Sequence, residues 1–368
     1  DGKMCFRQQT DAKPLRTELA SVMQNALNKL PVPKRMRWGA SRIEFVRPVQ
    51  WLVMLLGDAV VDGEVLGLKA GNTSRGHGFH APGEVTIAEP LAYQESLRGA
   101  YVMTSFAERS ALIKEQVTAE GKKLGGEAII DDDLLDEVTA LNEWPVALAG
   151  SFDEDFLRVP PEALVSSMKE HQKYFHVMKD GKLLPNFITV SNIESKDPAQ
   201  VISGNEKVIR PRLADAAFFW DTDRKQKLES RFAKLENVVW VNKLGSIADK
   251  ARRIGALASR IAGETGGDKA LVERAAQLCK NDLVSNMVFE FTDLQGLAGK
   301  YYAEHDGEHA DVAAAMVEQY MPAFAGDELP ATQTGTLIAL ADRLDSLVGL
   351  FGLGVESVKE LNVPLSFL

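Results

Sequence analysis

The sequence predicts an α+β protein built in two parts, a mixed module of strands and helices followed by an all-helical one. Three observations carry that prediction. Apolar runs with β-branched character alternate with helical stretches up to about residue 200. Beyond residue 245 the apolar positions recur at helical spacing. Between the two lies Asn205–Asp223, where Lys207, Arg210 and Arg212 stand close to Phe218, Phe219 and Trp220 and to Asp215, Asp221 and Asp223. Charges are costly to bury unless paired, and adjacent aromatics are costly to leave wet. The segment is therefore expected to dock its aromatics while turning Arg210 and Arg212 outward.

The elements follow in order. Residues 11–30 read as a helix, with Leu15, Leu19, Val22, Met23, Leu27 and Leu30 on one face and Pro31 and Pro33 ending it. Val49–Leu56, the turn-like Gly57-Asp58 and the β-branched run to Leu68 read as a buried hairpin. Helices are expected over 105–124 and 131–142, the second opening on Asp131, Asp132 and Asp133, which complement the helix dipole. Val146–Leu148 and Phe187–Ser191 read as short core strands. A helix starts at Gly245-Ser246, carries Ile247, Ala251, Ile254, Leu257 and Ile261 on one face, and stops at Gly266-Gly267. Further helices are expected around 269–291, 308–320 and 335–350. The implied division is an N-terminal remnant over 1–40 and a mixed domain over 41–204. A linker follows over 205–245, then a helical domain over 246–354, and 355–368 is unassigned.

At 368 residues, with 45% hydrophobic and 26% charged side chains, the composition is that of a soluble globular protein of two or three domains. A net charge of −10 argues against wholesale polyanion binding but not against a local cationic face. Cys5 and Cys279 form no disulfide framework and fit a reducing cytoplasm. No signal peptide or membrane-spanning run is seen. The chain opens on Asp1 without an initiator Met and reads as a piece of a longer protein.

Three polar clusters invite a binding role. Lys34, Arg35 and Arg37 lead into Trp38, a mixture suited to phosphate and base contact, or to a solvated turn with its Trp packed inward. Arg75-Gly-His77 places a cation and an imidazole on a tight turn expected to face a cleft. Lys169, His171, Lys173 and His176 form a polar face anchored by Tyr174 and Phe175. No phosphate-cradling loop, dinucleotide fingerprint, nucleophile elbow or cysteine–histidine metal spacing occurs. No catalytic residue is assigned.

The helical half resembles the HD-domain phosphohydrolases, which hold their metal with a His, a His-Asp pair and a final Asp. Carried over, the first His position is Lys250, the pair is Cys279-Lys280, and only Asp342 matches. Ammonium groups repel a divalent ion, so the resemblance implies the fold with a degenerate site that holds no metal.

A wider resemblance runs in order from about residue 30 to 354. Its blocks are Met36–Gly39, Phe45–Pro48, Arg75–His77, Glu143–Pro145, Gln172–Phe175, Asn186–Ile188, Ser191–Pro198, Ser203–Lys207, Arg210–Asp215, Met287–Asp293 and Gln295-Gly296. Together they resemble the β subunits of bacterial heterotetrameric glycyl-tRNA synthetases. The resemblance implies an α2β2 ligase of the cytoplasm whose α subunit activates glycine with ATP and Mg. The β chain captures tRNA(Gly) and holds no cofactor of its own. The mixed half would be a B3/B4-like module and the helical half a degenerate HD-like domain. The family's N-terminal stretch and its anticodon-binding region are expected to lie outside this sequence.

On that reading the tRNA-binding candidates are Lys34, Arg35, Arg37, Arg75, His77, Lys169, Lys173, Arg210, Arg212, Arg224 and Lys225. Arg210 and Arg212 have an alternative role, pairing with Asp215, Asp221 or Asp223 to fix the linker. Two rival functions stay open at this point: a metal-dependent HD-type phosphohydrolase and an aminoacyl-tRNA editing hydrolase.

Overall fold

The computed structural model describes residues 14–354. Phe6, Cys5 and the unassigned 355–368 lie outside the described residues. The fold is a mixture of helices and small sheets, and the chain divides into two compact units. One is Asp1–Ala149 with Ile188–Val201, the other Gly150–Phe187 with Ile202–Leu368. No described helix is long and apolar enough to cross a membrane.

In the first unit α1 (Leu15–Asn28) ends where expected, ahead of Pro31, and Gln24 Oε1 accepts from the Leu66 amide at 2.8 Å. Short strands follow: β1 (Met36–Arg37) and β2 (Glu44–Phe45), then β3 (Leu52–Val53), β4 (Leu55–Leu56), β5 (Ala59–Val60), β6 (Glu64–Val65), β7 (Leu68–Gly71), β8 (Thr73–Arg75) and β9 (Glu84–Thr86). The expected hairpin is there as the antiparallel pair β4 and β5, turned by Gly57 at φ 65°. It is not wholly buried. Met54, Val61 and Val65 reach the core, but Trp51 and Val60 stay more than a third exposed, because the run breaks into two-residue strands too short to form a continuous buried face. β3 runs parallel to β7, and β6 antiparallel to it.

Beyond α2 (Tyr93–Gly99) come α3 (Phe106–Lys123), β10 (Glu127–Ala128) and α4 (Asp132–Leu141), close to the expected spans. Ser105 caps α3 and Asp131 caps α4, each side chain accepting the amide three residues on. The chain then runs through β11 (Val146–Ser151), α5 (Pro161–Ser166), β12 (Phe175–Lys179) and β13 (Lys182–Ser191). Asp180 and Gly181 both take positive φ between β12 and β13, the turn that two-residue hairpins need.

The largest departure from expectation is α6 (Pro198–Asp223), a single helix across the stretch read as a linker. Ile209, Leu213, Ala216, Ala217 and Trp220 recur at helical spacing beneath the charges and are all buried. Three consecutive aromatics on a helix point about 100° apart, so they cannot dock together. Trp220 is buried, Phe219 is half-buried, and Phe218 is 63% exposed.

The rest is helical apart from the ribbon β14 (Val239–Val241) and β15 (Gly245–Ser246). α7 (Ile247–Thr265) opens on a capping box between Ser246 and Asp249 and closes on Gly266 at φ 75°. The helix expected over 269–291 is broken into α8 (Lys269–Leu278), a tight turn at Asn281–Val284 and α9 (Asn286–Glu290). The break falls where the buried side chains Lys280, Asn281 and Asp282 need partners that a regular helix would not supply. α10 (Leu297–Asp306), α11 (Ala310–Glu318) and α12 (Gln333–Gly352) complete the unit. One apolar core joins α5, the β12–β13 hairpin and α6 to α7, α8, α10, α11 and α12.

Glu318, at the end of α11, is buried and accepts from the amides of Ala331 and Thr332 at the start of α12. A Cβ on Gly335 would overlap that carboxylate. Gly335→Ala should therefore lower stability by about 1–3 kcal/mol, although alanine favours a helix by about 1 kcal/mol. A melting curve at neutral pH reads the outcome, and an unchanged or raised Tm would contradict it.

Candidate functional site

The outward face of α6 follows from its inward one. With Ile209, Leu213, Trp220 and Asp223 buried, a turn of about 100° per residue puts Lys207, Pro211, Ala214 and Phe218 on the solvent side. Arg210 and Arg212 are two residues apart, roughly 200° around the axis, so they flank that face on opposite sides. Both are exposed.

The acids that could have paired with these arginines are otherwise engaged or unengaged with them. Asp221 meets Arg158 at 2.8 Å. Asp223 is buried and takes five donors: Arg231 at 3.3 Å, the Asn286 amide and side chain at 3.1 and 2.9 Å, the Met287 amide at 2.9 Å and the Tyr302 hydroxyl at 2.9 Å. Glu206 accepts from the Ser151 amide and hydroxyl. Among the described residues neither Arg210 nor Arg212 has an ion-pair or hydrogen-bond partner, Asp215 included. The linker-pairing alternative therefore loses Asp221 and Asp223, and Asp215 is exposed and pairs with neither arginine. Just past the helix, Arg224 stacks 5.1 Å from the Trp220 ring and meets His305 Nδ1 at 3.1 Å, and Lys225 is exposed.

The other candidates have more varied surroundings. Lys34 is exposed. Arg35 is half-buried and donates to the Asn28 carbonyl at 2.8 Å, closing the end of α1. Arg37 pairs with Glu44 across β1 and β2. Arg75 stacks 5.6 Å from the Trp51 ring, and Trp51 Nε1 donates to Ser74. His77 does not face a cleft. It is 2% exposed, its Nε2 meets the Asn192 carbonyl at 2.6 Å, and its Nδ1 accepts from the Phe79 and His80 amides. Both ring nitrogens are used in holding the loop together, so none is left for a ligand. Lys169 lies 3.8 Å from Glu170, and Lys173 sits at φ 60° with its amide on the Lys169 carbonyl. Phe218, expected from the sequence to dock, and Lys207, given no role of its own there, both lie on the outward face. Their signal was the helical period of the buried residues between them.

The second constellation is buried. Lys250 of α7, Lys280 after α8 and Asp342 of α12 converge. Lys250 Nζ lies 2.6 Å from Asp342 Oδ1, and Lys280 Nζ lies 2.7 Å from Oδ2. Lys250 also donates to Ser346 at 2.7 Å and lies 4.0 Å from the Trp240 ring centroid, while Lys280 lies 4.4 Å from that of Tyr320. Asp345 adds a second acid, 3.5 Å from Lys250 and 2.6 Å from Arg253. Burial alone would raise Asp342, but Lys280 and Lys250 outweigh it and hold the carboxyl below the usual carboxylate range. Burial, reinforced by Lys280, pulls Lys250 down against the attraction of Asp342. Burial lowers Lys280 most, but Asp342, Tyr320 and Cys279 together outweigh it and hold the ammonium above its usual range.

A divalent ion does not fit this donor set. Each oxygen of Asp342 already faces an ammonium group, and a metal would have to displace both. Cys279, next to Lys280, has its thiol pushed up to about 12 by burial, far from the thiolate a metal would need. Neighbouring Asp282 accepts from the Gly296 amide at 2.6 Å and from that of Gly299 at 3.3 Å, yet burial still raises it to about 6.

Asp342→Asn strands two buried lysines and should cost about 3–5 kcal/mol in urea unfolding. Asp282 runs the other way in pH. Its folded value lies above its ordinary one, so the folded state binds the extra proton and gains stability as pH falls from about 6 to 4. Asp282→Asn should remove that gain, up to about 3 kcal/mol, leaving unfolding free energy flatter across that window than in the unaltered chain. Parallel slopes for the two proteins would refute it.

A family description, the glycyl-tRNA synthetase beta subunit, matches residues 1–359. Among curated proteins the chain is 58% identical over 353 residues to a glycine–tRNA ligase beta subunit of Marinobacter nauticus, covering 95% of this chain and 51% of that one. It is 58% identical over 350 residues to the Chromohalobacter salexigens protein of that name, covering 95% and 51%. It is 57% identical over 354 residues to the one from Ectopseudomonas mendocina, covering 96% and 52%. The chain spans about half the length of the curated relatives it matches.

Proposed function

Because the chain belongs to the glycyl-tRNA synthetase β-subunit family, we propose that it is the tRNA-holding part of a glycine–tRNA ligase and binds tRNA(Gly) through cations it does not neutralise itself. The observation that carries this reading is the pair Arg210 and Arg212. They are exposed on a rigid helix and lack an acid among the described residues, in a chain whose net charge is −10. An acidic protein that meets RNA must keep some cations free of its own carboxylates. Flanking arginines suit contact with successive phosphates of a backbone crossing the helix, which positions RNA without reading its sequence.

The wider assignment is proposed with it. The partner is an α subunit that activates glycine with ATP and Mg, in an α2β2 assembly of the cytoplasm. The mixed unit acts as a B3/B4-like module and the helical unit as an HD-like domain. Lys250 and Lys280 take over there, as fixed positive charge, the place a metal holds in a hydrolase. The double ammonium clamp on Asp342 weighs against the phosphohydrolase reading.

Replacing Arg210 and Arg212 with Ala should weaken tRNA binding and reduce the slope of log affinity against log salt by about one per arginine. Binding isotherms at several salt concentrations test this. An unchanged slope with a lowered Tm would return the arginines to a structural role. For the whole enzyme, full-length β and α subunits together should charge tRNA(Gly), and glycylation by β alone would overturn the assignment.

A further inference from the structure

Phe218 is the least expected residue on α6. Apolar side chains of its size are costly to expose, yet it lies 63% open at the centre of the outward face rather than at its edge. The ring is not loose. It meets Phe219 edge-on at 5.8 Å, and Phe219 in turn packs on the core. That contact steadies Phe218 without covering it.

Its neighbours give the exposure a chemistry. Pro211, two turns back, presents a second flat apolar ring on the same face, and Ala214 between them has only a methyl group. Seven residues of helix separate Pro211 from Phe218 by roughly 10 Å, so Ala214 is the floor of a shallow notch between two rings. Lys207 lies on this face and Arg210 beside it, both exposed, with Lys225 just past the end of the helix. Of the two acids that flank this side, Asp221 is taken by Arg158, and Asp215 is exposed on the Arg212 flank, away from Lys207 and Arg210. The Lys207 and Arg210 side of the aromatic centre is therefore cationic. A purely apolar protein partner would have to bury Lys207 and Arg210 unpaired. An unpaired nucleotide brings a flat π-face for the ring and a phosphate for the cations.

We infer that Phe218, with Ala214 and Pro211, forms a stacking platform for an unpaired nucleobase of the bound RNA, while Lys207 and Arg210 hold the adjoining phosphates. This rests on the tRNA-binding reading and adds to it a residue and a class of ligand, single-stranded rather than duplex RNA.

The test uses the full chain and two probes, a single-stranded oligoribonucleotide carrying 2-aminopurine and a blunt RNA duplex of equal length. Phe218→Ala should weaken the single strand about 5- to 100-fold. It should also abolish the quenching of 2-aminopurine and leave both duplex affinity and the salt slope unchanged. Phe218→Leu, which keeps apolar area without a π-face, should behave like the Ala variant, and Phe218→Trp like the original. Ala214→Leu fills the notch with a good helix former and should weaken the single strand at unchanged Tm. Salt-sensitive binding that ignores both Phe218 and Ala214, or full binding by Phe218→Leu, overturns the platform while leaving the arginine reading intact. No binding of either probe by the unaltered chain overturns both.

Discussion

The helical unit depends on one buried carboxylate. Asp342 sits between Lys250 and Lys280, and because each lysine comes from a different segment, the cluster ties α7, the end of α8 and α12 at a single point. Taking such charges out of water is expensive, and their attraction offsets the cost only with good geometry and further partners. Those partners are present. Ser346 accepts from Lys250, Asp345 balances Arg253, and the Trp240 and Tyr320 rings face the two ammonium groups. An apolar core could hold the same helices together. What the cluster adds is register, because only one rotation of each helix brings its charge to Asp342.

A similar constraint positions α6. Asp223, at the last position of the helix, collects donors from α9, α10 and the turn beyond, and so fixes which side of the helix turns inward. Once Asp223 and Trp220 are committed to the interior, Phe218 is forced out and the arginines are sent to opposite flanks. The outward face thus follows from buried polar chemistry as much as from the apolar stripe. The platform proposed on it would inherit that rigidity, which matters because an ordered site costs less entropy on binding.

Much of this was legible in the sequence. α3, α4 and α7 followed from apolar period and caps, and Gly266 stops α7 at a left-handed position. The HD resemblance singled out Lys250, Lys280 and Asp342, and the three side chains meet. Other parts were masked by competing signals. The density of charge in Asn205–Asp223 hid a helical period of modest residues, so the stretch read as a linker. The apolar period through 269–291 hid the break after Leu278, which buried polar groups impose. His77 read as a ligand because its hydrogen bonds go to backbone atoms, and no residue type announces those.

By itself the sequence determined the family, the mixed character of the first half and the helical character of the second. These rest on residue type and spacing, which act locally or through an ordered pattern. Tertiary structure alone decided which charges meet. Asp221, Asp223, Arg210 and Arg212 crowd together in sequence, yet a helix sets each acid roughly 16 Å along its axis from the arginine on the same side, and partners from Arg158 to Tyr302 claim the acids. Pairing is a matter of distance and burial, and neither is written in one dimension.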